Sequence, residues 1–148
     1  MKAEDLFGTE AGFRDALVGV YALMCGTNSY GRDLTYGYLD VLAQYYNSPL
    51  KTTSSGYEHN FKNAEYKYTE KTEESRISSI WSNHFSAVAN INQAMLFIDE
   101  NKGVFTSPEV HDVYKGEFLA LRAFLHFDIL RLFAPSAAMN NNKGLDAL

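Results

Sequence analysis

Hydrophobic residues along this chain recur mainly at helical spacing. After Thr9, a residue suited to cap a helix start, Phe13, Ala16, Leu17, Val20, Tyr21 and Met24 return every three or four positions and mark one apolar face. They predict a helix over residues 10–25. Gly26-Thr27-Asn28 should stop it, because glycine and asparagine accept the left-handed backbone that often follows a helix end. A second helix over 32–46 is interrupted by Gly37 and crowded by Tyr36, Tyr38, Tyr45 and Tyr46. Between residues 47 and 72 the period is lost. Pro49 and the run Thr52-Thr53-Ser54-Ser55-Gly56 read as a long loop, with a short strand at 65–68 compatible with its alternating residues.

The period then returns and is sustained. With Thr72 as a cap, Ile77, Trp81, His84, Val88, Ile91, Met95 and Ile98 step by four and three residues, a stripe about six turns long. Gly103 breaks it. Ser107-Pro108-Glu109 then supplies three helix-start signals together: a cap, a proline at the first helical position and an acid in the first turn. The fourth helix runs over 108–133. Tyr114, Phe118, Leu121, Leu125, Ile129 and Leu132 form its main face, but Leu119, Ala123, Phe127 and Leu130 are apolar on other sides, so it should be buried on several. At 1.5 Å per residue the last two helices each reach about 40 Å, and their short link makes them antiparallel neighbours. Ala134-Pro135 ends the pair, and 139–144 reads as an exposed loop. The fold class is therefore all-α: four main helices in one domain over 1–148, with one long loop between the second and third. Helix starts near 10, 32, 73 and 108 are unevenly spaced and define no repeat.

Composition supports a genuine core, since 46% of residues are hydrophobic and 14% aromatic. Thirteen Lys and Arg against 18 Asp and Glu give a formal charge of −5, which disfavours nucleic acid as a partner. Cys25 is the single cysteine, so the chain alone builds no internal disulfide and no cysteine-based zinc site; a buried thiol is the simplest reading. No signal peptide is evident at the start, and no apolar run approaches the roughly 20 residues that span a membrane. The abrupt start at Met-Lys-Ala-Glu and the end just after a loop suit a soluble fragment of a longer chain.

Catalytic and metal apparatus are not evident. Glu117 and Asp128 both project to the apolar side of their helix, but eleven residues place them about 16 Å apart, against roughly 5–9.5 Å for a glycosidase pair. A partly buried carboxylate held by an arginine or a backbone donor is the commoner arrangement, and Arg122 and Arg131 are nearby. Glu117 and Arg122, five apart, point different ways and should pair with other segments. Among His59, His84, His111 and His126 no two are three or four apart, so no helix presents two imidazoles to one metal. His84 lies within the apolar stripe and reads as a hydrogen-bonded core histidine. Neither a nucleophile elbow nor a glycine-rich phosphate loop occurs, so no cofactor is implied. The remaining candidates are the loop residues Tyr57, His59, Tyr66 and Tyr68. A tyrosine ring offers an apolar face and a polar tip to amphipathic ligands such as sugars, although these rings also suit tucking the loop against the helices. Trp81, on the stripe, reads as core.

Three pieces of the sequence together resemble the N-terminal part of the SusD/RagB-like lipoproteins of Bacteroidetes. Leu6-Phe7-Gly8-Thr9 with Ala16-Leu17-Val18-Gly19-Val20-Tyr21 is similar to the family's opening helix. Trp81, Phe85, Val88 and Asn92 are similar to its tryptophan, aromatic, aliphatic and asparagine series. The most specific piece is the continuous run from Glu117 and Phe118 through Arg122, Ala123 and Asp128 to Phe133.

The resemblance implies a helical scaffold related to tetratricopeptide repeats, within a surface-exposed outer-membrane lipoprotein. Such a protein captures oligosaccharide or polysaccharide and delivers it to a SusC-like TonB-dependent transporter, without catalysis. Two features depart from the family: this chain has no lipid-attachment cysteine behind a signal peptide, so any membrane link runs through an anchor it lacks, and it is about a third of the usual length. No binding residue transfers by position, and Trp81, Asn92, Glu117 and Arg122 read as structural. The competing expectation is a helical scaffold that binds a protein or peptide and no sugar; a carboxylate-dependent hydrolase comes third.

Overall fold

The computed structural model describes residues 2–46 and 66–134. Among these the chain is all helical and has no strand: α1 (Ala3–Leu6), α2 (Glu10–Met24), α3 (Tyr38–Leu42), α4 (Lys71–Ile98), a 3-10 turn (Lys102–Val104) and α5 (Pro108–Phe133). The described residues divide into two compact units, one from 2–20 and 88–134, the other from 21–46 and 66–87. Most of the expected long loop and the expected loop at 139–144 fall outside the described residues.

In the first unit, Thr9 caps α2 as its sequence predicts: the Gly12 N–H donates to Thr9 Oγ1 at 3.1 Å. Gly12 has a second role. A Cβ there would lie 1.6 Å from the Leu6 carbonyl oxygen, so only glycine lets the end of α1 rest on the first turn of α2. The tight turn aims Phe7 inward. Its ring sits 5.2 Å from Phe97 and 4.9 Å from Phe13, and Phe13 lies 4.9 Å from Phe105. Two polar ties fasten the same corner: Asn101 Nδ2 donates to the Phe7 carbonyl at 2.9 Å, and Glu10 accepts from the Thr106 N–H at 2.7 Å and hydroxyl at 2.6 Å. Those two bonds hold the Glu10 carboxyl below its usual range.

Ser107 caps α5, accepting from the Val110 N–H at 3.4 Å, with Pro108 at the first helical position. Lys115 bonds both Asp99 oxygens at 2.7 and 2.8 Å, and Arg122 Nη1 donates to Asn92 Oδ1 at 3.2 Å. Seven positions forward on α5 correspond to seven back along the chain from Asp99, so the α4–α5 pair in this unit is antiparallel in one continuous register. Phe118, Leu121, Leu125 and Ile129 are buried on α5, and Val88, Ile91, Ala94 and Ile98 on α4. The opposite face of α5 departs from expectation. Val113, Leu119, Phe124 and Phe127 are exposed, so the helix is buried along one stripe and not on several sides.

In the second unit, α2 stops without any left-handed glycine, since no glycine among the described residues has positive φ. Gly26 N bonds back to the Leu23 carbonyl at 3.1 Å, Tyr30 N reaches the Met24 carbonyl at 3.0 Å, and Asn83 Nδ2 donates to the Leu23 carbonyl at 3.0 Å. The last helical carbonyls are satisfied by a folded turn and by α4. Gly31 makes this turn possible, because a Cβ there would meet the Cys25 carbonyl oxygen at 2.2 Å. The predicted helix over 32–46 shrinks to α3, as the preceding residues close turns such as Gly37 N to the Arg32 carbonyl at 2.8 Å. Helix α4 begins at Lys71, so Thr72 lies inside it and not at its cap. The expected strand at 65–68 is replaced, over its described part, by a turn in which Tyr68 N bonds the Tyr66 carbonyl at 3.0 Å.

Candidate binding surface

The second unit is organised around a buried carboxylate. Asp33 is fully buried and accepts from Arg76 Nη2 at 2.7 Å and Arg32 Nε at 2.8 Å through Oδ1, and from Arg32 Nη2 at 3.4 Å through Oδ2. Burial alone pushes such a carboxyl up; the bonds from Arg76 and Arg32 outweigh it and hold Asp33 below the usual range. The Arg76 guanidinium also lies over the Tyr38 ring, 5.2 Å from its centroid. Tyr38 is buried, and that burial, together with Tyr68 and the carboxylate of Glu73, pushes its hydroxyl up to about 12. This centre fixes α3 against α4 within the unit.

Around α3 the tyrosines behave differently. Tyr36, Tyr45, Tyr46, Tyr66 and Tyr68 are all substantially exposed, from 46% for Tyr68 to 77% for Tyr45. Three have their hydroxyls tethered to main chain: Tyr36 donates to the Gly31 carbonyl at 3.1 Å, Tyr46 to the Tyr36 carbonyl at 2.5 Å, and Tyr66 to the Leu42 carbonyl at 3.1 Å. The tethers begin or end on α3 or the residues beside it. Tyr66 is held further by its backbone, at φ 56°, a region a bulky side chain seldom occupies. Gln44, just after α3, has φ 59°. Tyr66 and Tyr68 lie with ring centroids 6.2 Å apart and planes at 53°, and burial raises the Tyr68 hydroxyl above its ordinary value. The arrangement gives several ring faces to solvent while restricting their rotation.

Of the loop residues singled out in the sequence, Tyr66 and Tyr68 meet here, and Tyr57 and His59 lie outside the described residues. Tyr36, Tyr45 and Tyr46 were legible only as residues crowding a doubtful helix; the folded turn that orients them has no periodic signal. Trp81 is not a core residue: it is 39% exposed and packs on Phe85 with centroids 4.6 Å apart. Asn92 and Arg122 pair with each other in the first unit. Glu117, half-buried on α5, is also in that unit.

The three described histidines and Asp128 are held by neighbours. His84 is buried; its Nδ1–H donates to the Ile80 carbonyl at 2.9 Å, which leaves Nε2 to accept from the Tyr30 hydroxyl at 3.3 Å. His126 Nδ1 donates to the Arg122 carbonyl at 2.8 Å. His111 stands with Nδ1 2.8 Å from Asp112 Oδ1 and Nε2 3.5 Å from Asp99 Oδ1. Asp128 is buried, with Arg131 3.5 Å away. Cys25 is exposed, contrary to the buried thiol its solitude suggested, because α2 ends one residue earlier and the turn carries it outward.

Among the described residues no group of three His, Cys, Asp or Glu stands together to hold a metal ion. No helix described is long and apolar enough to cross a membrane. Comparison of the chain with protein-family models, with curated proteins and with solved structures returned no match.

Proposed function

We propose that this chain is a non-catalytic glycan-binding module, part of a SusD/RagB-like nutrient-capture lipoprotein of the outer membrane that works with a SusC-like TonB-dependent transporter. The single observation that carries the binding role is the set of exposed tyrosines whose hydroxyls are tethered to backbone carbonyls. Stacking on sugars needs flat apolar faces with polar edges, and rings fixed in advance lose less conformational freedom on binding. The sequence pieces that resemble the family support the wider assignment, above all the run from Glu117 to Phe133. Tetratricopeptide-like descent of the scaffold is part of the same proposal. The test is glycan-array binding by the whole chain and by its Tyr66→Ala and Tyr45→Ala variants. Tyrosine-dependent binding to an oligosaccharide supports the reading, and binding to none overturns it.

One observation favours a second reading, a scaffold for a protein or peptide partner: the exposed apolar residues Val113, Leu119 and Phe127 on the outer face of α5. Under that reading Phe127→Ser abolishes partner capture, while the tyrosine variants leave it unchanged.

A further inference from the structure

The outward chemistry of the tyrosine surface discriminates among glycans, an inference that rests on reading that surface as a glycan platform. A tyrosine hydroxyl has one proton to donate and two lone pairs to accept with. Tyr36, Tyr46 and Tyr66 have each donated that proton inward, to the carbonyls of Gly31, Tyr36 and Leu42. What these three turn to solvent is hydroxyl lone pairs and ring faces, and the face of an aromatic ring carries the negative part of its quadrupole.

Among the described residues, the two arginines beside this surface are already engaged. Arg32 directs Nε and Nη2 to the two oxygens of Asp33, and Arg76 bonds the same carboxylate. Lys67 and Lys71 belong to a segment that also carries Glu70 and Glu74, and the chain as a whole bears −5. Tyr45 and Tyr68 keep a proton to donate, but a neutral hydroxyl does not offset the cost of stripping water from a full negative charge.

A neutral, polyhydroxylated ligand meets different conditions. Its hydroxyls donate into the tyrosine oxygens, and its C–H faces lie on the rings. From this geometry we propose that the surface selects neutral, hydroxyl-rich oligosaccharides and rejects those carrying carboxylate or sulfate groups.

Matched pairs test this: galacturonan oligosaccharides against their methyl esters, and mannan oligosaccharides against their sulfated forms, each titrated into the whole chain and into Tyr66→Ala. Tyr45→Ala, at a residue 77% exposed, serves as the second variant should Tyr66→Ala fail to fold. The expected result is binding of the neutral members at least about tenfold tighter than their anionic counterparts, lost in the tyrosine variants. Tyrosine-dependent binding of the anionic members with equal or greater affinity overturns the selectivity while leaving the glycan reading intact. Absence of tyrosine-dependent binding to every member overturns both.

Discussion

The Tyr66 hydroxyl donates to the Leu42 carbonyl oxygen at 3.1 Å, joining the end of α3 to a residue 24 positions later whose ring stays half exposed. A side chain held this way at the surface is restrained without being buried. Tyr66→Phe keeps the ring and removes the restraint, so thermal unfolding should show a loss of about 1 kcal/mol. Ligand affinity should fall by about threefold to tenfold, since the freed ring must be ordered on binding.

Asp33 anchors the centre beneath those tyrosines. Asp33→Ala removes the 2.7 Å bond to Arg76, whose side chain is only 10% exposed, and should cost about 3 kcal/mol in denaturant unfolding. The pH dependence has a definite sign. The folded-state pKa of Asp33 is depressed, so its contribution is fully present above the unfolded value of about 3.9 and is lost as pH falls through the lower folded value. Acid titration of stability should therefore fall less steeply below about pH 4 in Asp33→Asn than in the native chain.

Two glycines of α2 should respond in opposite directions. Gly12→Ala puts a Cβ 1.6 Å from the Leu6 carbonyl oxygen and should destabilise the chain by about 2 kcal/mol, with α1 detached. Gly19 has nothing within 4 Å of an added Cβ, so Gly19→Ala should stabilise by up to about 1 kcal/mol through helix propensity. Thermal melts of the two variants measure both effects.

The register of α5 should depend on burial far more than on its polar ties. Arg122 bonds Asn92 at 3.2 Å where both are at least partly exposed, and Arg122→Ala should cost under about 1 kcal/mol. Phe118 is fully buried, and Phe118→Ala should cost about 4 kcal/mol.

These contrasts bear on how far the sequence can be read. Thr9, Ser107 and Pro108 announce the starts of α2 and α5 because a cap is a local interaction, settled within four residues. The α4 stripe was harder to place. Counting large side chains gives Ile77, Trp81, His84, Val88, Ile91, Met95 and Ile98; of these His84, Val88, Ile91 and Ile98 are buried and Ile77, Trp81 and Met95 are not, while Ile80, Ala87 and Ala94 complete the buried face. Alanine occupies buried positions without contributing to such a count. Glu73 is fully buried at the head of α4, where no hydrophobic period would place it.

The candidate surface was half legible for a related reason. Tyr66 and Tyr68 stand out as aromatic residues in a polar segment. Tyr36 and Tyr46 owe their placement to folded, non-periodic turns, Tyr36 bonding back to Gly31 and Tyr46 to the Tyr36 carbonyl, and the centre beside them depends on Asp33 pairing with Arg76 across 43 positions. Such contacts follow from tertiary packing, which a period in the sequence does not encode. The outer face of α5 illustrates the converse. Phe127 looks like core by residue type and is 56% exposed, with Arg131 5.6 Å above its ring.

The most direct test of the tyrosine surface is NMR of the chain with its tyrosine rings isotopically labelled, titrated with neutral oligosaccharides released from starch, xylan and mannan. The account predicts that ring signals of Tyr36, Tyr45, Tyr46, Tyr66 and Tyr68 shift on titration, while buried Tyr38 and Tyr114 of the first unit stay in place. Shifts confined to Tyr114, or no shift at millimolar sugar, would contradict it.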